Sequence, residues 1–468
     1  MSLQLLRPAP TRKRLWQMTT LLALLTLTFA IGNAVQPKDR AVTGRMLGHD
    51  FLAFYTAGTF AREGRSAELY DLSAVAAFQS ETAAKANLDI AVDFESRKFG
   101  PWWNPPFYAW VFAPLTYLSY SQALAVWTAF NLACLAGAIA VLMKTLVPAW
   151  IDTDAAGRPV DWRTTGLVPF ALLLSMPFVQ AISHGQNTPG SLLLLSLVTY
   201  FWRNKRALLA GAFCGLLMYK PQLSALVAVV LIGSLGFRAL VGLTLVGSGL
   251  VLLTQLTMPG LLVHYLHQMP LNLRYMQIDH PYIWERHATL AGFWRLLLQG
   301  REAGEMWLST RLLTVGSVVT VGGLLGWAIW SHRRVDGQEN CFSHMTQRTW
   351  RDRLIAATVC CAPLVMPFYF DYDLLLLAVP AVLLSAETLV RPIDPKPADK
   401  LLVGCWFMLY GWMLFNPGLA NVTHVNGTVI LLTLTAVAMT RRATRPKPVS
   451  SSVPQPLTVS DEPMIRAA

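Results

Sequence analysis

The sequence predicts an all-α protein that crosses a membrane many times, and three observations lead to this prediction. Hydrophobic residues occupy 54% of the 468 positions and charged residues only 14%, and the mean hydropathy is +0.42. Apolar windows of about 17 to 25 residues with almost no charge recur along the chain, as in transmembrane helices. Because the bilayer core offers no water to backbone groups, each span must satisfy its own hydrogen bonds, which favours helices.

The apolar windows predict about twelve transmembrane helices, within a range of about eleven to thirteen. The first window, residues 15–35, has the length of a full span, and the many later spans favour a retained helix over a cleaved signal peptide. The segment 105–119 is apolar but short, and it contains Pro106 and Pro114. Counting it as a span would change the number of spans from even to odd and so reverse the orientation of the spans that follow. The predicted spans are 15–35, 121–143, 167–182, 190–202, 207–219, 223–236, 239–258, 308–330, 354–370, 374–390, 401–415 and 425–440.

The basic residues predict the orientation of the chain. A net charge of +12 is typical of some nucleic-acid-binding proteins, but here the basic residues cluster in the short segments 202–206, 331–353 and 441–445. Short loops rich in Lys and Arg remain on the cytoplasmic side of a membrane protein. We therefore expect a lipid bilayer and no nucleic acid as partner, with both termini in the cytoplasm of a multi-pass inner or plasma membrane protein.

This orientation places two long loops outside the cell. Residues 36–104 form the first extracytoplasmic loop, which we expect to be helical, and residues 259–307 form the second. Because the number of spans could be even or odd, the loop 144–163 could lie on either side of the membrane. We expect one transmembrane domain over 1–440 and a disordered cytoplasmic tail over 441–468, which is rich in Pro and Ser.

The six cysteines lie mostly inside apolar runs and lack the spacing of metal ligands. Cysteine in such places behaves as a small hydrophobic residue. We expect no structural disulfide and no zinc site.

The first candidate catalytic residue is Asp50, which stands with His49 and Tyr55 in an aromatic stretch just after the first apolar window. The simplest alternative is structural: residues 51–63 have a helical pattern that Gly64 would end, and Asp50 is then an ordinary N-cap. The two roles are compatible, since a capping carboxylate can also accept a proton.

Further polar residues interrupt the apolar windows on the predicted outer side. His184, Gln186 and Asn187 follow one window, and Lys220 and Gln222 lie at another break. Ionisable groups at membrane depth are costly and indicate function. The amides can bind a hydroxyl-rich ligand or simply cap a helix, and the Lys220 ammonium can bind a phosphate or snorkel to the membrane surface.

Two outer segments have open interpretations. Asn104 lies in the aromatic and proline-rich segment 100–108, which suits either an interfacial belt or the wall of a sugar or lipid cleft. Arg286 and His287 belong to a loop in which two histidines, His280 and His287, stand seven residues apart. A metal site needs tighter spacing and a third ligand, so we expect a solvated loop wall or, at Arg286, a second phosphate ligand.

A third segment, Asp371-Tyr372-Asp373, precedes an apolar window. Carboxylates at the start of a helix favour capping. Two carboxylates at this spacing also leave a small opening for a metal ion.

Several of these motifs, taken together and in order, resemble glycosyltransferase family 87. The resemblance covers roughly residues 15–390. It implies a GT-C-like membrane enzyme that takes a sugar from a polyprenyl-phosphate donor on the outer face, with the acidic residue of the first outer loop, Asp50, as general base. The motifs are Gly48-His49-Asp50-Phe51, Leu69-Tyr70-Asp71, Asn104-Pro105-Pro106-Phe107, Gly185-Gln186-Asn187, Lys220-Pro221-Gln222 and Tyr372-Asp373-Leu374.

The expected reaction transfers a sugar, mannose or another hexose, to an extracytoplasmic glycolipid or glycan of the cell envelope. It requires a base for the acceptor hydroxyl and cations for the departing phosphate. Asp50 suits the first role, and Lys220 and Arg286 suit the second. A single base predicts an inverting displacement, and we expect no cofactor and no metal, because the leaving group is a single phosphate.

The expected substrate-binding residues are His49, Tyr55, Asn104, His184, Gln186, Asn187, Lys220, Gln222, Arg286, His287, Tyr372 and Asp373. A transporter or flippase of lipid-linked sugars is the alternative function, and it predicts paired inverted halves with polar breaks at the membrane midplane. A scaffold for envelope assembly is a third, and it predicts that polar substitutions leave activity unchanged.

Overall fold

The structure is a computed structural model that describes residues 12–35, 46–150, 172–336, 344–390 and 397–444. Over these residues the chain forms α-helices and short 3-10 helices and no β-strand. The two isolated bridges, Asp93 with Lys98 and His287 with Phe370, do not extend into strands. The all-α prediction is confirmed.

The helices have these bounds in chain order: α1 Arg12–Val35, α2 Phe51–Arg62, α3 Leu72–Lys85, α4 Ala109–Phe112, α5 Tyr120–Trp150, α6 Met176–Ser183, α7 Thr188–Arg203, α8 Ala207–Leu216, α9 Pro221–Leu235, α10 Phe237–Thr257, α11 Leu261–Gln277, α12 Leu290–Gln299, α13 Leu308–Asp336, α14 His344–Val365, α15 Ala378–Val390, α16 Pro397–Trp412, α17 Asn416–Thr423 and α18 Gly427–Ala443. The 3-10 helices are Ser66–Glu68, Pro106–Tyr108, Ala113–Tyr117, Leu217–Tyr219, Trp284–Arg286 and Asp371–Leu377.

The predicted number of twelve spans is not confirmed. Three described helices are long and apolar enough to cross a membrane, Tyr120–Thr145, Phe237–Thr257 and Leu308–Arg334. A fourth candidate, at the predicted span 401–415, is a helix pair bent by 79° between α16 and α17. Others, such as Pro221–Leu235, are apolar but short; at about 1.5 Å per residue, 15 residues extend only about 22 Å across a hydrocarbon core of about 30 Å.

The described part of the predicted first outer loop contains α2, α3 and the 3-10 helix Ser66–Glu68, whereas residues 86–104 form turns without a helix. Helix α2 begins after Asp50 and ends before Gly64, whose φ of 72° is left-handed, so the helix predicted over 51–63 is confirmed. Helix α3 begins at Asp71, whose Oδ1 accepts backbone hydrogen bonds from Ser73 and Ala74 at 2.9 and 3.2 Å. Residues 36–45 of this loop lie outside the described residues.

The segment 105–119 does not form a span. It consists of α4 between two 3-10 helices, and it packs on α2, where the rings of Phe54 and Phe112 stack with centroids 4.8 Å apart. The two prolines start new 3-10 turns instead of continuing one helix, because proline cannot donate a helical hydrogen bond. The segment therefore covers the first outer loop.

The predicted cytoplasmic segments meet at one end of the molecule. Arg203, in the last turn of α7, pairs with Asp352 at 2.8 Å. Glu387 pairs with Arg442 at 3.0 Å and also with Arg353. Because α18 runs to Ala443, Arg441 and Arg442 belong to a helix, and the predicted disordered tail could start only later; residues 445–468 lie outside the described residues.

The core is one hydrophobic cluster that extends along the chain from Leu22 to Ala443. A second, small cluster contains Trp284 and Leu296 from the second outer loop. Five cysteines are free thiols, and Cys341 lies outside the described residues.

Candidate active site

Two tight turns, at Gly48 and Gly185, bring the first outer loop against the end of α6. Both glycines have a left-handed φ, 71° and 72°. The Gly48 N–H donates to the Ser183 carbonyl at 2.7 Å, and the Asp50 N–H donates to the His184 carbonyl at 3.0 Å. A Cβ on Gly185 would stand 3.2 Å from the Gly48 Cα, so this approach depends on glycine.

Helix α5 supports both turns from behind. The Tyr120 hydroxyl donates to the Gly48 carbonyl at 2.9 Å, and the Trp127 indole N–H donates to the Gly185 carbonyl at 2.8 Å. All four of these groups are protected from water by the packing of α5. The turns are therefore fixed to a helix long enough to span the membrane.

The Asp50 carboxylate points into a polar cluster. The Gln186 amide donates to Oδ2 at 2.8 Å, His49 Nε2 lies 3.3 Å from Oδ1, and His184 Nδ1 lies 3.8 Å from Oδ2. Asp50 occupies the N-cap position of α2, as the structural alternative predicts, but its side chain makes no capping hydrogen bond. The side chain is 27% exposed, which leaves one side of the carboxylate open to a ligand.

The backbone fixes the tautomer of His49. Its Nδ1 lies 3.1 Å from the Met46 carbonyl oxygen, and a carbonyl only accepts, so Nδ1 carries the hydrogen. Nε2, which faces Asp50, then carries a second proton only in the imidazolium form. The His184 ring lies 4.4 Å from the His49 ring, so one carboxylate and two imidazoles are grouped together.

The same three residues are the ones that could hold a metal ion. Ligand atoms of His49, Asp50 and His184 lie within 4.8 Å of one another. Two imidazoles and a carboxylate form a known zinc ligand set. The sequence analysis considered a metal ion at residues 280–295 and at Asp371 with Asp373, and no local pattern indicated this group.

Two buried ion pairs, which we call the cation pairs, join the other predicted residues. Lys220 Nζ lies 3.0 Å from Asp373 Oδ1, and Arg286 donates from Nε and Nη2 to Asp371 at 3.0 and 2.8 Å. The Lys220 side chain is 7% exposed, so the snorkelling alternative is wrong. Asp371 and Asp373 lie at the start of a 3-10 helix, as expected, and Asp371 Oδ1 accepts from the Tyr372 N–H at 2.9 Å, but each carboxylate is also the charge partner of a buried cation.

Neighbouring polar side chains complete the cation pairs. The Thr188 hydroxyl donates to Asp373 at 2.9 Å, and the Gln180 amide donates to Asp371 at 3.2 Å. Neither Thr188 nor Gln180 was predicted. An amide inside the apolar window 167–182 was the available signal for Gln180.

The ring of Tyr372 links the cation pairs to Asp50. Lys220 Nζ and Arg286 Cζ lie 5.3 and 5.8 Å from its centroid. Burial raises the pKa of the Tyr372 phenol well above its usual value, and the negative charges of Asp373 and Asp50 raise it further. The phenol therefore remains protonated and can donate a hydrogen bond.

His287 takes a structural position beside the cation pairs. It is fully buried, its Nε2 lies 3.2 Å from the Tyr282 hydroxyl, and its ring packs on Phe370 at 4.6 Å. Burial lowers the pKa of His287 to about 3, with a contribution from the Arg286 charge. Because Arg286 is also buried, the expectation of a solvated loop wall over 280–295 is wrong.

Asn187, like Gln186, uses its side chain for a specific contact and not for capping. The Asn187 amide donates to the Tyr108 hydroxyl at 3.0 Å, and the Tyr108 ring stacks on Tyr219 at 4.2 Å. The capping alternative is wrong for both amides. The two tyrosines were not predicted individually, although Tyr108 belongs to the aromatic segment 100–108.

Three predicted residues do not contact Asp50. The Tyr55 hydroxyl donates to the Leu118 carbonyl at 3.0 Å. The Asn104 backbone carbonyl accepts a hydrogen bond from the Tyr70 hydroxyl at 2.8 Å. Gln222 is partly exposed in the first turn of α9.

The comparison with known proteins gives the class. A sequence model of glycosyltransferase family 87 matches residues 102–367, more than half of the chain, which defines the protein as a membrane glycosyltransferase. The chain belongs to glycosyltransferase family 87. No curated protein and no solved structure matches it. The matched residues include Gln186, Lys220 and Arg286 but neither Asp50 nor Asp373, so geometry alone supports roles for those two carboxylates.

The Gly185 turn predicts a strong effect of a single methyl group. In Gly185→Ala the new Cβ would lie 2.8 Å from the Phe51 Cβ, at a left-handed φ. We expect a loss of about 2 kcal/mol or more, measured as a lower thermal midpoint in detergent. The control is Gly190→Ala, where no atom lies within 4 Å of the added Cβ; equal midpoints for the two variants would contradict this account of the turn.

The buried His287 predicts acid sensitivity. Its pKa is about 3 in the folded protein and about 6.5 when exposed, so stability is complete above pH 6.5 and falls as the pH drops toward 3. At pH 5 the loss is about 2 kcal/mol. His287→Phe should reduce the difference in thermal midpoint between pH 7 and pH 5, whereas His267→Phe, at an exposed position, should not; an unchanged difference in His287→Phe would argue against a neutral buried imidazole.

Proposed function

We propose that the protein transfers a hexose, with mannose as the first candidate, from a polyprenyl-phosphate donor to a hydroxyl of an extracytoplasmic glycolipid or glycan. The observation that carries this proposal is the partly exposed Asp50 carboxylate, which lies close enough to the cation pairs for its charge to act on Arg286 and Tyr372. Family membership supports an enzyme over the alternative of a transporter.

In the proposed step, Asp50 accepts the proton of the acceptor hydroxyl as that oxygen bonds to the anomeric carbon of the donor. The bond between the anomeric carbon and the phosphate oxygen breaks, and polyprenyl phosphate leaves with the electron pair. The Gln186 amide at 2.8 Å orients the carboxylate. His49 and His184 are positioned to receive the proton from Asp50 afterwards.

The carboxylates favour inversion at the anomeric carbon. Retention by double displacement needs a second carboxylate as nucleophile, about 5 Å from the first. Asp371 and Asp373 are each held by a cation, and the Asp373 side chain is only 2% exposed. Asp50, 27% exposed against 16% for Asp371, is the most accessible of the three carboxylates, so a single displacement is the simplest chemistry.

Lys220 and Arg286 can bind the phosphate without leaving their carboxylates. A guanidinium has five N–H donors and an ammonium has three. Arg286 uses two donors on Asp371, and Lys220 uses one on Asp373. The remaining donors can stabilise the charge that develops on the leaving phosphate, and the Tyr372 phenol can add one more hydrogen bond. Of the other predicted binding residues, Asn187 lies next to Gln186 and can contact the acceptor.

Helix α7, although shorter than a full span, supports an extracytoplasmic position for the site. Thr188, its first residue, contacts Asp373, and Arg203, its last, pairs with Asp352 among the basic segments. The helix has 16 residues, which is about 24 Å. Because basic segments stay in the cytoplasm, we place the site at the extracytoplasmic face of the inner or plasma membrane.

Asp50→Asn tests the proposed base. The amide keeps the shape but accepts no proton at neutral pH, so we expect turnover to fall by about 10² to 10⁴, measured with a radiolabelled polyprenyl-phosphate sugar and extracted envelope glycolipids. Glu81→Gln, in the same outer loop and exposed, should keep wild-type turnover. Near-normal turnover in Asp50→Asn would remove Asp50 as the base.

The same assay tests the metal. We propose that His49, Asp50 and His184 hold a proton and not a metal ion, so EDTA should leave wild-type turnover unchanged. Loss of turnover in EDTA with recovery on adding zinc would overturn that part of the proposal.

The double variant Lys220→Gln with Asp373→Asn tests the phosphate contact. Removing both charges together avoids an unpaired buried charge. We expect the KM for the polyprenyl-phosphate donor to rise about tenfold while the KM for the acceptor changes little, because one charged hydrogen bond contributes about 1.5 kcal/mol or more. Equal changes in the two KM values would argue against a phosphate role for Lys220.

A further inference from the structure

A second cavity lies on the first outer loop, lined by residues that the site around Asp50 does not use. Its volume is about 470 Å³, within the range of about 300 to 1,000 Å³ for ligand pockets. It opens between the start of α3, the turn at residues 93–98 and one face of α11. We call it the outer groove, and the argument below rests on Asp71, Phe94, Gln268 and Tyr275 from its lining.

Aromatic rings form one wall of the outer groove. Phe94 and Tyr275 stack with centroids 5.9 Å apart and an angle of 5° between their planes. Phe94 is 37% exposed, and this large apolar side chain lies on an otherwise polar turn. An exposed aromatic face with its negative quadrupole attracts the positively polarised C–H groups of a sugar ring.

Oriented polar groups from α11 and from the start of α3 also line the outer groove. The Gln268 amide donates to the Asn272 Oδ1 at 3.1 Å, and the Asn272 amide donates to the Tyr70 carbonyl at 2.9 Å. Asp71 uses Oδ1 for all three of its bonds to Ser73 and Ala74, and its Oδ2 takes part in none of them. Fixed amides and a carboxylate are the groups that bind neighbouring hydroxyls.

The outer groove connects to the site around Asp50 through a short series of contacts. The Tyr70 hydroxyl donates to the Asn104 carbonyl at 2.8 Å. Four residues after Asn104, the Tyr108 hydroxyl accepts a hydrogen bond from the Asn187 amide. Gln186, the residue before Asn187, donates a hydrogen bond to the Asp50 carboxylate. Both sites are therefore built on the same outer loop.

We propose that the outer groove is a carbohydrate-binding site that holds sugar units of the acceptor remote from the reacting hydroxyl. Aromatic stacking on Phe94 and hydrogen bonds to Gln268 and Asp71 would supply the contacts. Naming the acceptor as the source of the sugar rests on the proposed function; binding of carbohydrate does not.

The first test measures binding of α-linked mannotriose and of maltotriose to the full-length protein in detergent, by saturation-transfer NMR. We expect Phe94→Ala and Gln268→Ala to weaken binding about five- to tenfold for whichever trisaccharide the wild-type protein binds more tightly. The matched controls are Leu266→Ala and His267→Ala, exposed positions of α11 outside the groove lining, which should bind as the wild type does. Asp50→Asn should also bind normally.

Two results of this test would overturn the proposal. One is the absence of any trisaccharide signal with the wild-type protein. The other is binding that Asp50→Asn abolishes and the two groove variants leave unchanged, since it would place the sugar at the catalytic centre.

The second test identifies the source of the sugar by steady-state transfer. Phe94→Ala and Gln268→Ala should raise the KM for the glycan acceptor about fivefold or more, with kcat and the KM for the polyprenyl-phosphate donor unchanged. A rise in the donor KM instead would overturn the assignment to the acceptor. Trisaccharide binding at the groove in a protein without transfer activity would support the groove and contradict the proposed function, so the two failures are distinguishable.

Discussion

The close approach of two backbone turns is the constraint on which the site depends. Gly48 and Gly185 meet where a side chain on either would clash, and the hydrogen bond from the Asp50 N–H to His184 ties the turns together. Without this approach, the Asp50 carboxylate would lie on a mobile loop and not beside the Gln186 amide. Since α5 holds both turns, the proposed base is fixed to the membrane-spanning part of the protein.

Buried charge is the second requirement, and it divides the acidic residues by role. Each of the two cations at the site has its own carboxylate, Asp371 for Arg286 and Asp373 for Lys220. This pairing removes most of the cost of burying the charges and holds both cations at the Tyr372 ring. It also leaves Asp50 as the carboxylate of this cluster that can serve as a base.

The sequence predicted individual residues better than their pairing. Asp50, Gln186 and Lys220 were identified because a polar group that interrupts an apolar window is rare without a function. The partners of the cations were not, because Lys220 and Asp373 are 153 positions apart, and no local pattern reports such a contact. The twelve spans expected from hydropathy were not confirmed over the described residues, since hydropathy records apolar length but not where a helix breaks, as it does between α16 and α17.

The stereochemistry of the product tests the central claim most directly, because a single base and no carboxylate nucleophile allow only one displacement. The measurement uses a donor labelled with carbon-13 at the anomeric position and compares the one-bond carbon–hydrogen coupling of that carbon in donor and product. We predict that the product has the opposite anomeric configuration to the donor. Retention of configuration would require either a covalent intermediate on a carboxylate or attack from the face on which the phosphate departs, and either would contradict the single displacement proposed with Asp50 as base.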